Sequence, residues 1–241
     1  MKSFLVIPNL TREKTASLLS EATAILGSLG AACDIHPDGS SDPEKSYDAV
    51  IFLGGDGTML RSAHTALGLD LPMVGINAGS LGYYSRIKED ELSEKLPKLV
   101  SGDIAVEECA LLTADGKKAI VNDLVAMVRG SIATFTVSRP GGREIYKTVS
   151  SGIIASTTIG STGINRSAGG SVLENGLEVA QIAPILPNRG DASPLVIGLN
   201  EGICISWNSP VELKADGELF GTDSGSIFLS GYWKKLKLIA F

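Results

Sequence analysis

The sequence predicts an α/β N-terminal domain with an open, mostly parallel sheet, followed by a β-rich, sandwich-like C-terminal domain. Three observations predict this. Over the first hundred residues, short apolar runs alternate with helix-period segments, the rhythm of βαβ units. One run, Ala49-Val50-Ile51-Phe52-Leu53, is apolar without a break, as a parallel strand covered on both faces is. After about residue 100 the helical period gives way to short β-rich segments between turn residues. The expected domains are 1–100 and 101–230, with the tail 231–241 returning to the first.

Phe4 to Ile7 reads as a buried first strand ended by Pro8. Asn9 or Thr11 can cap the helix that follows, in which Leu18, Ala22, Ile25 and Leu29 recur at helical spacing before Gly30 stops it. Ala32 to Ile35 is a weak second strand, and His36 to Ser46 a polar loop with Pro37, Gly39 and Pro43. The apolar run at 49–53 leads straight into Gly54-Gly55-Asp56-Gly57-Thr58, after which Met59 to Leu67 reads as helix. Met73 to Ile76 is a fourth strand. Glu89 to Leu99 is a helix with Leu92, Leu96 and Leu99 on one face. Beyond it, β-like segments cover 104–112, 119–128, 132–137, 144–149, 153–156, 195–197, 202–206, 211–215 and 226–229. Arg139-Pro140-Gly141-Gly142 has the chemistry of a hairpin turn. A Gly/Ser/Thr segment, 157–170, interrupts these strands.

Composition narrows the function classes. The chain has 241 residues, 44% of them hydrophobic and 20% charged, which excludes a disordered polyelectrolyte. A net charge of −6 and only 5% aromatics argue against nucleic acid as a partner. No run approaches the ~18 apolar residues of a membrane span, and the N-terminus lacks the longer apolar region of a signal peptide. The three cysteines, Cys33, Cys109 and Cys204, are odd in number and far apart. They read as buried thiols of a cytoplasmic protein, without disulfide or zinc site. The 28 glycines point to tight turns and to backbone approached closely by a ligand.

Four motifs carry chemistry. In Gly54-Gly55-Asp56-Gly57-Thr58 a buried strand ends in glycines and a carboxylate, then a helix begins. Backbone N–H groups there can approach an anion, and the helix N-terminus adds its dipole. The carboxylate can take a proton from a hydroxyl or hold a metal ion near phosphates. The structural alternative is a tight turn with Asp56 as N-cap. The second motif is Ile159-Gly160-Ser161-Thr162-Gly163 with Asn165, Ser167 and Gly169-Gly170, offering hydroxyls where backbone comes close, or simply a loop or helix start. The third is Asn122-Asp123 inside an apolar run, a pair able to grip a sugar diol, or a turn or bulge. The fourth is Asp216-Gly217, by default a type I′ hairpin turn.

In this order the four resemble one family, the NAD kinases. Gly54 to Leu60 resembles its Gly-Gly-Asp-Gly-Thr motif, and Asn122-Asp123 with Arg129-Gly130 its Asn-Glu segment. Ser156 to Gly170 is similar to its Gly-Ser-Thr-rich motif, in the Thr-Gly version of archaeal members. Gly75-Ile76-Asn77 with Gly79-Ser80-Leu81-Gly82-Tyr83 resembles its Gly-x-Asn…Leu-Gly-Phe segment, and Asp216-Gly217 its late Asp-Gly. The resemblance implies phosphoryl transfer from ATP or inorganic polyphosphate to the adenosine 2′-hydroxyl of NAD. It implies Mg²⁺ or another divalent cation with the donor, its protein ligands unassigned, and a homodimer or homotetramer. Asp56 would orient or deprotonate the hydroxyl; Gly54, Gly55, Gly57 and Thr58 would meet the donor phosphates. Asn122 and Asp123 would hold the ribose, and Thr162, Gly163 and Ser167 the adenine. Asp56, Gly57, Tyr83, Ser151, Ala183 and Asp216 complete the implied dinucleotide site.

Three positions depart from the family pattern: Ser151 stands for Asp, Ile164 for Tyr and Ser171 for Pro. Ser151 and Ile164 motivate a second expectation, the same chemistry on another nucleoside or polyol. A third is a nucleotide-binding protein without turnover, against which the retained Asp56 argues.

Overall fold

The computed structural model describes residues 1–11, 13–78, 84–188, 193–223 and 225–241, which divide into two compact units. The first holds Met1–Glu108 and Leu236–Phe241, the second Cys109–Lys235.

In the first unit β1 (Ser3–Pro8), β2 (Ala32–Ile35), β3 (Ala49–Gly54), β4 (Met73–Asn77) and β5 (Ala105–Cys109) alternate with α1 (Glu13–Ser28), α2 (Asp56–Leu69) and α3 (Leu92–Ser101). β1 pairs in parallel with β2 and β3, and β3 with β4. Alternate residues of these strands face opposite layers. Phe4, Val6, Ile51, Leu53, Val74 and Ile76 pack with Leu18, Ala22 and Leu26 of α1 and Leu92, Leu96 and Leu99 of α3. The opposite face, with Leu5, Ile7, Val50 and Phe52, is covered by α2. Each fully buried Leu or Ile stabilises by roughly 1.5–3 kcal/mol. Gly75 leaves room for this packing, since a Cβ there would lie 2.2 Å from the Phe52 ring.

The α1 stripe is shifted from the expected one. Thr15, Leu18, Ala22 and Leu26 are buried while Leu29 is 41% exposed, because the helix ends at Ser28 and Gly30 turns the chain with φ 75°. Asn9 does not cap α1; its side chain accepts from the N–H and hydroxyl of Thr11, before the helix begins at Glu13.

The second unit is antiparallel β. Its strands are β6 (Leu112–Ala114), β7 (Ala119–Ile120), β8 (Asp123–Val128), β9 (Ala133–Ser138), β10 (Glu144–Ser156), β11 (Val179–Pro187), β12 (Leu195–Gly198), β13 (Ile203–Trp207), β14 (Val211–Ala215), β15 (Glu218–Asp223) and β16 (Ser226–Gly231). They form one sheet in the order β15-β14-β8-β10-β9-β13-β16-β6-β7, with β11 added beside β10 and β12 beside β11. The curl comes from β10. Its first half pairs with β9 through Ser150↔Ala133, and its second half with β8 from Gly152↔Met127. The curled sheet surrounds a core that includes Phe135, Val137, Ile153, Ile182, Ile205 and Leu229. A last strand, β17 (Leu236–Ala240), lies between β4 and β5 in the first sheet.

Candidate active site

In the first unit the strand order β2-β1-β3-β4 reverses between β1 and β3. Ligands of open α/β sheets bind outside the carboxyl ends of the strands at such a reversal. β3 ends there at Gly54. Gly55 is the extended N-cap of α2 and Asp56 its first residue, so Asp56 is not the cap, and no side-chain cap bond is made. The carbonyl of Gly55 accepts from the N–H groups of both Thr58 and Met59 at 3.0 Å. The N–H groups of Asp56 and Gly57, at the helix start, have no intrahelical acceptor. Asp56 and Gly57 are exposed, whereas Thr58 is buried.

The glycines of this turn serve different ends. A Cβ on Gly54 would lie 2.4 Å from Thr58 Oγ1, so packing demands that glycine. A Cβ on Gly55 or Gly57 would meet nothing within 4 Å, and neither has a positive φ. A helical glycine costs up to about 1 kcal/mol relative to alanine. Nothing inside the fold explains Gly57, whereas a ligand approaching the helix terminus does. Of the remaining expectations in this unit, Tyr83 lies outside the described residues.

The second unit brings Asn122, Asp123 and Asp216 together. Asp216 and Gly217 form the two-residue turn joining β14 to β15, with φ 53° and 80°, as the type I′ expectation requires. The Asp216 carboxylate accepts from the backbone N–H groups of Val121 (2.9 Å), Asn122 (2.7 Å) and Asp123 (3.3 Å), and its own N–H donates to the Asp123 carbonyl (2.9 Å). This clamp fills the gap between β7 and β8, where Val121 and Asn122 leave the ladder. The carbonyl groups of the same two residues accept from the Thr157 hydroxyl, at 2.5 and 3.2 Å. A Cβ on Gly160 would lie 2.1 Å from the Asn122 carbonyl oxygen. Asn122 is thus held from both sides, by the late hairpin and by the Gly/Ser/Thr segment.

Asp123 is only 6% exposed, and no hydrogen bond reaches its carboxylate among the described residues. Burial, and then the neighbouring Asp216 charge, push its pKa up to about 6. A carboxylate kept from water without a donor is costly, and hydroxyl groups of a ligand would relieve that cost.

The segment after β10 has an inward and an outward side. Gly160–Thr162 is a 3₁₀ turn and α4 (Ile164–Ser167) a single helical turn. Thr157, Thr158, Ser161 and Asn165 are fully buried, while Gly163, Ile164 and Ser167 are exposed and Thr162 is half-buried. The expected binding residues Thr162, Gly163 and Ser167 therefore share the outward side. Ala183 is fully buried beside Val125 and Ile154, beneath Ala168. Ser151 is half-buried where β10 changes partner. The sequence singled out Asn165 but not its burial, and it gave no place to Gln181. Its signal was a glutamine inside the apolar run 179–186.

No group of three or more His, Cys, Asp or Glu able to hold a metal ion occurs among the described residues. No described helix is long and apolar enough to cross a membrane.

Two family models match the chain: the ATP-NAD kinase N-terminal domain over residues 4–104 and the ATP-NAD kinase C-terminal domain over 122–221. An NAD kinase of Heliobacterium modesticaldum is 32% identical over 189 residues, covering 73% of this chain and 67% of that one. An NAD kinase of Nitrosomonas europaea is 34% identical over 195 residues, covering 76% and 64%. The matched part thus spans about two thirds of the length of these curated relatives. A crystal structure of an NAD kinase from Archaeoglobus fulgidus in complex with ATP shares the fold, with a TM-score of 0.81 at 24% identity over 99% of this chain and 93% of that one. With both of its domain models accounted for in order along the sequence, the chain belongs to the NAD kinase family.

Proposed function

We propose that this chain phosphorylates the adenosine 2′-hydroxyl of NAD to make NADP, with ATP or inorganic polyphosphate as donor. The observation that carries the reading is Asp56: an exposed carboxylate on the first residue of α2, between glycines whose side the fold leaves open. A protein that only bound phosphates would gain little from a negative charge there. A phosphotransferase gains a proton acceptor. The 2′-oxygen attacks the terminal phosphorus, the bond from that phosphorus to the bridging oxygen breaks, and the hydroxyl proton passes to Asp56. The shortened donor leaves with the bridging oxygen.

Gly54, Gly55, Gly57 and Thr58 form the wall along the donor phosphates. Asn122 and Asp123 take the ribose hydroxyls, with Asp216 holding their backbone. Thr162, Gly163 and Ser167 meet the adenine, and Tyr83, Ser151 and Ala183 belong to the dinucleotide site. A divalent cation, Mg²⁺ or another, would be bound together with the donor and would offset the charge of its phosphates. The setting is cytoplasmic, a reading supported by the odd number and wide spacing of Cys33, Cys109 and Cys204 in the sequence. The assembly is a homodimer or homotetramer in which Ser151 serves a neighbour's pocket.

Ile164 favours a second reading. It is 52% exposed on the outward side of the segment, where the family pattern has a flat ring. The same chemistry on another nucleoside or polyol is that reading. The test is turnover with ATP or polyphosphate on NAD beside a panel of nucleosides and inositols. NADP formation supports the first reading, product from another acceptor alone supports the second, and no product from any acceptor leaves a nucleotide-binding protein.

A further inference from the structure

Beneath the outward face of the Gly/Ser/Thr segment lies a pair of buried amides. Asn165 is fully buried and Gln181 on β11 is 2% exposed. Asn165 Nδ2 donates to Gln181 Oε1 at 2.6 Å and lies within 3.4 Å of the Ser161 carbonyl and 3.3 Å of the Ser171 carbonyl. One side chain therefore joins the start of the segment, its end and the sheet. The backbone follows the amide closely: Gly170 N–H donates to the Asn165 carbonyl at 2.9 Å, and a Cβ on Gly170 would lie 2.4 Å from Asn165 Nδ2.

The arrangement is poor as a source of stability. Asn165 Oδ1 is buried without a hydrogen-bond partner among the described residues. Replacing a buried polar pair by apolar groups of similar shape is often neutral or stabilising. What the pair supplies is position. Thr162 is half-buried and Ser167 exposed on either side of the fully buried Asn165, so fixing Asn165 against β11 fixes the spacing of both. Two half-rigid anchors would leave those groups to be ordered by the ligand, at a cost in affinity.

We propose that Asn165 and Gln181 are positioning residues that set the height and spacing of Thr162 and Ser167 for the acceptor nucleotide. This rests on the NAD kinase reading of the site. The pair does no chemistry, so its loss should weaken acceptor binding while sparing the bound-state step.

The test is the double variant Asn165→Leu/Gln181→Met, which keeps side-chain volume and removes both amides, beside Gln181→Met alone, which keeps the two carbonyl contacts of Asn165. Four quantities are measured: KM and kcat for NAD, the thermal midpoint, and the rate of tryptic cleavage after the exposed Arg166. The expected result for the double variant is a KM raised about tenfold, kcat within about twofold, a midpoint unchanged or higher, and faster cleavage. The single variant should shift KM in the same direction by less. An unchanged KM in both variants overturns the proposal, as does a KM that rises only in step with a falling midpoint. If wild-type protein gives no NADP, the kinase reading has failed instead. The cleavage rate then decides alone: unchanged cleavage in the double variant overturns the anchoring role and faster cleavage supports it.

Discussion

With its pKa pushed up to about 6, Asp123 makes the native state less stable than it would be without the charge. The native carboxyl holds its proton to higher pH than the unfolded one, whose ordinary value is 3.8. Below the unfolded value both states are protonated and there is no penalty. As pH rises through about 6 the penalty grows to its full size, on the order of 3 kcal/mol at 1.36 kcal/mol per unit. Asp123→Asn should therefore raise the denaturant midpoint at pH 7, and the gain should fade below pH 4. The same variant should raise the acceptor KM, because charge-assisted bonds to two hydroxyls contribute roughly 1.5–3 kcal/mol. In the wild type, kcat/KM for NAD should fall as pH drops through about 6. A variant with unchanged KM would place Asp123 outside the acceptor site. Asp56 contrasts with it. It is exposed and ties down nothing among the described residues, so Asp56→Asn should fold normally yet lose ~10²–10⁴ in turnover. Retention of a third of the wild-type rate would exclude it as the proton acceptor.

The strand-to-helix turn after β3 separates glycines of packing from glycines of function. Gly54→Ala drives a methyl into Thr58 and should cost roughly 1–3 kcal/mol in unfolding experiments. Gly57→Ala meets open space, so it should stabilise α2 by up to about 1 kcal/mol while lowering kcat/KM for ATP at least tenfold. Equal activity in the Gly57 variant would mean that no phosphate approaches there. The sequence made this strand-to-helix turn legible because an unbroken apolar run at 49–53 leads straight into glycines and a helical period. It hid β11. Pro184 and Pro187 argue against a strand, yet Pro184 pairs with Ile153, because β12 pairs β11 only as far as Ile182 and the missing N–H falls where that edge is open. The break at Asn122 was visible as polar residues in an apolar run. That the carboxylate 94 residues later in the chain clamps it was not legible, since Asp216 read as a hairpin turn and, by resemblance, as a residue of the dinucleotide site. The buried side of residues 157–165 was equally hidden, since exposure within a hydroxyl-rich segment has no period to read.

For the whole molecule, exposed apolar groups such as Leu186, 74% exposed with φ 48° at the penultimate residue of β11, suit burial against a second copy of the chain. Light scattering at assay concentration should show a homodimer or homotetramer. Ser151→Asp should lower the Kd for NAD if the neighbour's pocket gains an acceptor; a fully active monomer would contradict the shared site. The activity rests on one bond, between the transferred phosphorus and the adenosine 2′-oxygen. Phosphorus NMR of the product formed from NAD and ATP, or polyphosphate, reports where the transferred group resides. The expected spectrum shows a new phosphomonoester on the adenosine 2′-oxygen, absent with Asp56→Asn. A phosphoryl group on any other oxygen, or NAD recovered unchanged under turnover conditions, would contradict it.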